Sequence, residues 1–196
     1  MPGLLGRFRS RHPQVQFRLS QSQDVLGSSL VVEGAVDLEF TARRPRNPVV
    51  HWERLLTQPL YLAVAPGHPL ARQPSATLRE VASEDFIGLR PTWELRHHSD
   101  ALCRAAGFTA KVAFESDDLS TVTGLVAAGL GVAIVPAAPE HPEAALPGTA
   151  VPVPLTDPGA TRDIGLAWSR ERRLLPSARL FRAQVLTEFA GTPPDA

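Results

Sequence analysis

The sequence predicts an α/β fold, in which strands and helices alternate along the chain. The clearest pattern runs from residue 111 to 136, as a strand, a helix and a run of four apolar residues at 132–135. The helix shows apolar residues at helical spacing, namely Leu119, Val122, Val126 and Leu130. A strand that is apolar at every position is typical of a parallel sheet covered on both faces. These observations predict a β-α-β unit with a right-handed crossover.

Residues with capping chemistry mark both ends of this predicted helix. Ser116, Asp117 or Asp118 can accept hydrogen bonds from its first N–H groups, and Gly129 or Gly131 can end it with a positive φ angle. The loop at 116–119 follows a strand and precedes a helix, which is where open α/β sheets bind ligands. Because the aspartates satisfy the same N–H groups, a ligand loop and a purely structural crossover remain equal alternatives.

The residues before this unit predict two further strand–helix steps. A short helix carries Leu4, Leu5 and Phe8 on one face and ends before His12-Pro13, because a residue that precedes proline disfavours helical backbone. Alternation of apolar and polar residues over 15–19 predicts a half-buried strand. Next come a helix that Gly34 closes and a strand over residues 35–41.

The remaining elements follow from the same signals. A strand over residues 60–65 ends at Pro66-Gly67-His68-Pro69, where the chain must change direction. Further strands are predicted over residues 86–89, 151–155 and 164–168, and helices over 78–82, 95–106 and 176–189. The terminal helix is expected to bury Leu180, Phe181, Val185, Leu186 and Phe189.

Composition narrows the class of protein. Twenty basic residues balance twenty acidic ones among 196, which does not favour a surface that holds nucleic acid by counterion release. The single cysteine, Cys103, excludes an internal disulfide and a multi-cysteine zinc site, and fits a reducing compartment. The sequence shows neither a signal peptide nor a run long enough to span a membrane. We therefore expect a cytoplasmic protein with no cofactor, no metal site and no membrane partner.

Catalytic motifs are weak in this sequence. The run His97-His98-Ser99-Asp100 contains the residue types of a catalytic triad, but neighbours on a helix point about 100° apart and cannot form that relay. No phosphate loop or dinucleotide fingerprint precedes a predicted helix. We expect no catalytic residues and no enzyme activity.

Five segments, taken in order, carry a family resemblance. They read LLGRFRSRHPQVQFRLSQ at 4–21, VVEGAVDLEFT at 31–41, LYLAVAPGHPLA at 60–71, ESDDLSTVTGLVAAGLGVAIVP at 115–136 and RDIGLAWSRER at 162–172. In this order and spacing they resemble the effector-binding domain of LysR-type transcriptional regulators over nearly the whole chain. The resemblance implies a two-lobed, type II periplasmic-binding-protein-like fold, with two Rossmann-like lobes joined by two crossover strands and a small-molecule cleft between them. Residues 1–66 and 169–196 would form lobe I, and residues 67–168 lobe II.

The sequence departs from this family at its amino end. Members carry a winged helix-turn-helix, a linker helix and a first effector-domain strand, all of which would precede Met1 here. We expect lobe I to lack its first strand, so that its sheet edge is filled by a partner chain or the lobe is loose. DNA would be contacted only through a part absent from this chain.

The resemblance also implies where an effector would bind. Loops at the ends of the strands supply the candidate ligand residues Gln21, Ser22, Thr41, Pro91, Thr92, Trp93, Ser116 and Asp117. Arg90 and Arg96 are natural partners for a carboxylate, although a plain surface arginine is the simpler interpretation of each. Trp93 either stacks on a ring of the ligand or covers the hinge.

The expected function is therefore that of an inducer sensor for a small organic effector, anionic or aromatic. The family implies a homodimer or higher homo-oligomer, in which residues 4–8 contribute to the interface or pack within their own lobe. Two alternatives remain: an enzyme built on the same two lobes, because fold does not determine function, and a free-standing solute binder, which the missing export signal disfavours.

Overall fold

The structure is a computed structural model of the chain, and it describes residues 2–21, 29–136 and 148–190. The helices of the described residues are α1 (Pro2–Arg11), α2 (Ser29–Glu33), α3 (Glu94–Ala105), α4 (Leu119–Ala127) and α5 (Pro176–Phe189). The strands are β1 (Glu39–Thr41), β2 (Val50–Val64), β3 (Asp85–Leu89), β4 (Lys111–Ser116), β5 (Ala133–Pro136), β6 (Val151–Pro154) and β7 (Thr161–Ser169). Short 3₁₀ helices lie at Pro69–Arg72 and Leu78–Val81. Helices and strands alternate from β3 to β5, as the sequence predicts, whereas β1 and β2, and likewise β5, β6 and β7, follow one another without an α-helix between them in the described residues.

The chain divides into two compact units. Unit 1 comprises Met1–Thr57 and Asp163–Ala196, and unit 2 comprises Gln58–Arg162. The strands β2 and β7 are hydrogen-bonded neighbours, and each passes from one unit into the other. These are the two crossover strands that the fold class requires. The domain boundaries predicted from the sequence lie at the ends of these same strands and stay predictions.

Unit 1 is built around a contact between its first and last helices. Phe8 of α1 meets Phe181 of α5 edge-on, with their ring centroids 5.1 Å apart. Leu4 and Val185 complete the buried faces of the two helices, so α1 packs within its own unit. The prediction that Leu180 is buried was wrong, since its side chain is 52% exposed. Adjacent residues on a helix point about 100° apart, so Leu180 points away from the core that Phe181 enters. β1 pairs antiparallel with β7, with Glu39 opposite Ala167.

The strand predicted over residues 15–19 is not assigned in the structure. Phe17 contacts the rings of Phe8 and Phe181, while Leu19 is 70% exposed. A strand needs a neighbour for its N–H and C=O groups, and no described strand pairs with these residues. The prediction of a paired strand was therefore wrong for the described residues. Further along, Gly34 ends α2 with φ 76°, as predicted, whereas residues 22–28 of the predicted helix lie outside the described ranges.

Two parallel strands of unit 2 end beside the loop at residue 116, although they are not the pair that the sequence predicts. β3 and β4 pair in parallel, and Leu89 lies opposite Ser116 at their carboxyl ends. β2 pairs antiparallel with both β5 and β6. Its core contains Leu62, Leu78, Ile87, Val122, Val126 and Val132 among its buried residues.

The predicted β-α-β unit forms only in part. β5 is buried, as a strand apolar at every position requires, but it pairs antiparallel with β2. A single parallel bridge, Phe86 to Val132, connects its start to β3. Gly131 allows this approach, since a Cβ there would lie 2.4 Å from the carbonyl oxygen of Asp85. The local apolar pattern thus predicted the burial of β5 but not the strand with which β5 pairs.

None of the helices in the described ranges is long and apolar enough to cross a membrane.

Candidate functional site

Two loops of unit 2 begin side by side at the carboxyl ends of β3 and β4. The N–H of Arg90 donates to the carbonyl of Ser116 at 3.0 Å, which joins the first residues beyond the paired strands. This parallel arrangement brings together the loop at 90–93 and the loop at 116–118. It gathers five of the predicted ligand residues at one edge of unit 2: Pro91, Thr92, Trp93, Ser116 and Asp117. The edge of a parallel sheet where strands end is the common position for ligands in α/β folds.

The first loop is a tight turn that leads into α3. The N–H of Trp93 donates to the carbonyl of Arg90 at 3.0 Å, and Pro91 and Thr92 are exposed at the tip between them. Trp93 is half-buried and packs against the core of unit 2. Its indole Nε1 is buried and has no hydrogen-bond partner in the structure. The loop therefore offers exposed polar groups beside a buried, unused donor.

The second loop satisfies most of its own hydrogen bonds. Asp118 caps α4 by accepting from the Thr121 N–H at 2.9 Å and the Thr121 hydroxyl at 2.7 Å, and it also accepts from the Ser120 hydroxyl. The Ser120 and Thr121 hydrogen bonds hold the pKa of Asp118 well below its usual value. The Ser116 hydroxyl accepts from the Asp118 N–H at 3.3 Å. This half of the site is consequently a well-capped helix start whether or not it touches a ligand.

A charged pair bridges the two loops. Arg90 and Asp117 lie 3.4 Å apart, and their side chains are 60% and 49% exposed. Exposed ion pairs of this kind contribute about 0–1 kcal/mol, so the pair can open and offer its guanidinium to another anion.

Arg96 has a different role from the carboxylate partner considered in the sequence analysis. Its Nη1 donates to the carbonyl of Leu89 at 2.9 Å and to Glu115 at 2.6 Å, and its Nε donates to Asp100 at 3.0 Å. Its side chain is only 13% exposed. Arg96 thus fastens α3 to the ends of β3 and β4 and is already engaged by protein groups.

Of the three predicted ligand residues of unit 1, the structure describes Gln21 and Thr41. The Thr41 hydroxyl is engaged with Arg43, whose carbonyl accepts from it at 3.2 Å and whose N–H donates to it at 3.3 Å. Gln21 is exposed, and Ser22 lies outside the described residues. The part that these three play in a site stays a prediction.

The sequence analysis missed three polar residues near the start of α3. Glu94 follows Trp93 and has a buried Oε2 without a hydrogen-bond partner. Arg162, at the start of β7, donates from Nε to the Gln58 side chain at 2.9 Å. Burial lowers the pKa of Arg162, and attraction to Glu94 opposes this shift. One sequence signal could have indicated Gln58 and Arg162: both are polar residues next to the apolar stretches of two strands.

The other reactive side chains of unit 2 are engaged or shielded. Burial, followed by the nearby charges of Asp100 and Asp157, raises the pKa of Cys103 to about 12, so its thiol stays protonated at neutral pH. The Ser99 hydroxyl donates to the carbonyl of Leu95 at 2.8 Å, and His98 lies against the carbonyl of Gly159. No group of three metal-binding side chains occurs within the ranges that the structure describes.

A cavity under α3 is too small for an organic ligand. It encloses about 30 Å³ and is lined by residues that include Gly88, Ser99 and Cys103. Ligand pockets for small molecules measure roughly 300–1,000 Å³. The strand-end loops are therefore the better candidate site within unit 2.

The fold and these loops define the class of protein as an α/β small-molecule-binding domain with two crossover strands. The family profile described as LysR substrate binding domain matches residues 1–190. The chain therefore belongs to the LysR substrate-binding domain family.

Individual relatives agree with this assignment. The chain is 32% identical over 191 residues to an uncharacterized HTH-type transcriptional regulator, YybE of Bacillus subtilis, and the match covers 97% of this chain and 64% of that protein. The crystal structure of HinK, a LysR family transcriptional regulator from Pseudomonas aeruginosa, superposes with a TM-score of 0.83 at 26% identity, covering 96% of this chain and 65% of HinK. The regulatory domain of Synechocystis CcmR, solved in complex with 2-PG, shares the fold, with a TM-score of 0.84, 17% identity and coverage of 98% and 92%. The chain thus spans less than two thirds of the length of YybE.

Proposed function

We propose that this chain is the small-molecule-sensing domain of a LysR-type transcriptional regulator, and that its effector contacts the loops at the ends of β3 and β4. The observation that carries the proposal is the Arg90–Ser116 backbone bond, which places the loop at 90–93 next to the loop at 116–118. The relatives support the regulatory role because several are named as HTH-type transcriptional regulators and are longer than this chain. A DNA-binding part outside residues 1–196 would convert the sensing event into a change in transcription.

The chemistry of the loops favours a small anionic or aromatic effector. Arg90 is an exposed guanidinium that pairs with the exposed carboxylate of Asp117. Thr92 adds a hydroxyl and Trp93 adds a flat apolar surface. A few placed polar groups beside apolar surface are typical of small-molecule sites. Such a ligand would act by binding one conformation of the domain more tightly than another.

The remaining parts of the proposal concern assembly and class. We expect the domain to work as a homodimer or higher homo-oligomer in the cytoplasm, and to bind its ligand without turnover. The engaged Ser99 and the shielded Cys103 support binding over catalysis, since neither is set beside an activating base.

Calorimetric titration tests the proposal directly. The purified chain is titrated with small carboxylates, aromatic acids and phosphate esters, and the titration is repeated with Thr92→Ala. Thr187→Ala is a matched control, because Thr187 is an exposed threonine on α5 of unit 1. We expect saturable heat that is unchanged in the control and an affinity lower by roughly 2- to 10-fold in Thr92→Ala, as the loss of one hydrogen bond predicts.

Two results would contradict the proposal. Equal affinities in Thr92→Ala, Thr187→Ala and the parent chain would remove the ligand from the loop at 90–93. Heat that continues with time after each injection would indicate turnover and favour the enzyme alternative.

A further inference from the structure

Two buried polar atoms at the start of α3 have no partner. The indole Nε1 of Trp93 is an unused hydrogen-bond donor, and Oε2 of Glu94 is an unused acceptor. Buried polar groups in proteins are hydrogen-bonded in the great majority of cases. Here a donor and an acceptor on adjacent residues both lack a partner, at the edge where the candidate ligand loops begin. A bound molecule could form the missing hydrogen bonds.

The face of α3 that carries Glu94 lies over the segment that leads into β7. His98, one turn after Glu94, has its Nε2 3.3 Å from the carbonyl of Gly159. Leu102, a further turn along, lies 3.7 Å from the position that a Cβ on Gly159 would take. Residues at these spacings share one face of a helix. Glu94 therefore projects toward the beginning of β7, where Arg162 stands.

Arg162 is a half-buried cation at the start of β7. Its Nε donates to the Gln58 side chain at 2.9 Å, and burial lowers the pKa of its guanidinium. Glu94 attracts its charge without forming a direct ion pair. Arg96 offers the contrast, because its guanidinium is engaged by Leu89, Asp100 and Glu115. Arg96 and Arg162 thus differ in the protein groups that engage their guanidinium groups.

We propose that Trp93, Glu94 and Arg162, here called the α3 cluster, recognise an organic acid that also carries a hydroxyl or ammonium group. The carboxylate of the ligand accepts hydrogen bonds from Arg162 and from the Trp93 indole. Its hydroxyl or ammonium donates to Oε2 of Glu94. This inference rests on the proposed function and names the chemical class of its effector.

The α3 cluster discriminates between ligands because a ligand without a donor leaves Glu94 without a hydrogen bond. A plain carboxylic acid can satisfy Arg162 and Trp93 but brings no donor to Glu94, whose Oε2 then stays buried without a partner beside a second carboxylate. A site built to bond a ligand hydroxyl or amine rejects analogues that lack it far more strongly than an apolar pocket rejects a missing methylene. The donor group is therefore the specificity determinant.

Matched ligand series test the inference on the whole 196-residue chain. Each series holds a plain acid, its hydroxy acid and its amino acid: propionate, lactate and alanine; succinate, malate and aspartate; and 3-phenylpropionate, 3-phenyllactate and phenylalanine. Affinities are measured by calorimetry. We expect at least one donor-bearing compound to bind tenfold or more tightly than the plain acid of its series.

Variants then locate the discrimination. Glu94→Met keeps the length of the side chain and removes the acceptor, so it should reduce the preference to less than about threefold. Trp93→Phe should lower the affinity for the preferred ligand several-fold. Trp52→Phe is its control, because Trp52 also has a buried Nε1 without a partner but belongs to unit 1. Glu53→Met, at an exposed position of β2, is the control for Glu94.

Each outcome is decisive. Plain acids that bind as tightly as their hydroxy and amino counterparts would overturn the inference and leave the proposed function standing. A preference that survives unchanged in Glu94→Met, with native circular dichroism, would also overturn it. Failure of every compound in the three series to bind would overturn this inference, and it would leave the proposed function standing if another compound of the wider panel binds with an affinity that Thr92→Ala lowers.

Discussion

Replacing Arg96 by methionine should loosen the join between α3 and the two parallel strands. Methionine retains much of the apolar stem of arginine and removes the guanidinium, so the change isolates the polar contacts. The carbonyl of Leu89 loses its 2.9 Å donor at the end of a buried strand. Asp100 and Glu115 lose the cation that holds them at 3.0 and 2.6 Å.

The expected loss of stability follows from these three contacts. A hydrogen bond to an uncharged carbonyl contributes about 1 kcal/mol. The two charged contacts contribute about 0.5–1.5 kcal/mol each, because both carboxylates are partly exposed and screened by solvent. The free energy of unfolding should therefore fall by about 2–4 kcal/mol in Arg96→Met.

Urea unfolding followed by far-ultraviolet circular dichroism measures this change. Arg104→Met is the matched control, since Arg104 is an exposed arginine near the other end of the same helix. Surface substitutions usually stay within about 0.5 kcal/mol. If Arg96→Met unfolds within about 0.5 kcal/mol of Arg104→Met, the guanidinium does not fasten the strand ends and the reasoning fails.

Two further substitutions test the backbone of unit 2. Gly131→Ala should lower the free energy of unfolding by about 2–4 kcal/mol, because φ is 151° and the new Cβ would meet the Asp85 carbonyl. The control Gly124→Ala, in open space on α4, should be neutral or slightly stabilising. Equal effects of the two variants in urea unfolding would refute this account. Asp118→Ala should lower the melting temperature relative to Asp117→Ala, because only Asp118 caps α4. Since the pKa of Asp118 is depressed in the folded chain, its stabilisation is complete above the usual aspartate pKa of 3.8 and is lost as the pH falls below it. A gap between the two variants that stays constant from pH 6 to pH 2 would contradict the capping role.

Local patterns in the sequence predicted the elements that depend on nearby residues. The stripe of Leu119, Val122 and Val126 on α4 arises within a few positions, and so does the cap, for which Asp118 was one of three candidates. Leu130 was wrongly included in the stripe, because it lies beyond α4 and is 43% exposed. The order of the five family-like segments identified the LysR effector-domain fold, which no single stretch specified. These features were accessible because helix caps, turns and apolar spacing are short-range properties.

Pairing partners were less accessible, because they are decided by distant residues. The 15–19 stretch alternates like a strand, yet alternation alone provides no neighbour for its backbone groups. The run at 132–135 is buried as expected, but its partner is β2, which pairs with it in the antiparallel direction. Neither result contradicts the local pattern, since both depend on which strands the folded chain places side by side.

Arg96 and Arg162 show why the candidate site needed the structure. Arg96 lies three residues after the candidate loop at 90–93 and has the chemistry of a carboxylate partner, but protein carboxylates and the Leu89 carbonyl engage its guanidinium. Arg162 lies 68 residues after Glu94 in the sequence. Its proximity to Glu94 becomes apparent only from the contact between α3 and the segment at Gly159. The several protein acceptors of Arg96 make it part of the scaffold, whereas Arg162, which the charge of Glu94 attracts, is the arginine proposed to bind a ligand. Changes at Arg96 should therefore appear first in unfolding, and changes in the α3 cluster first in ligand selectivity.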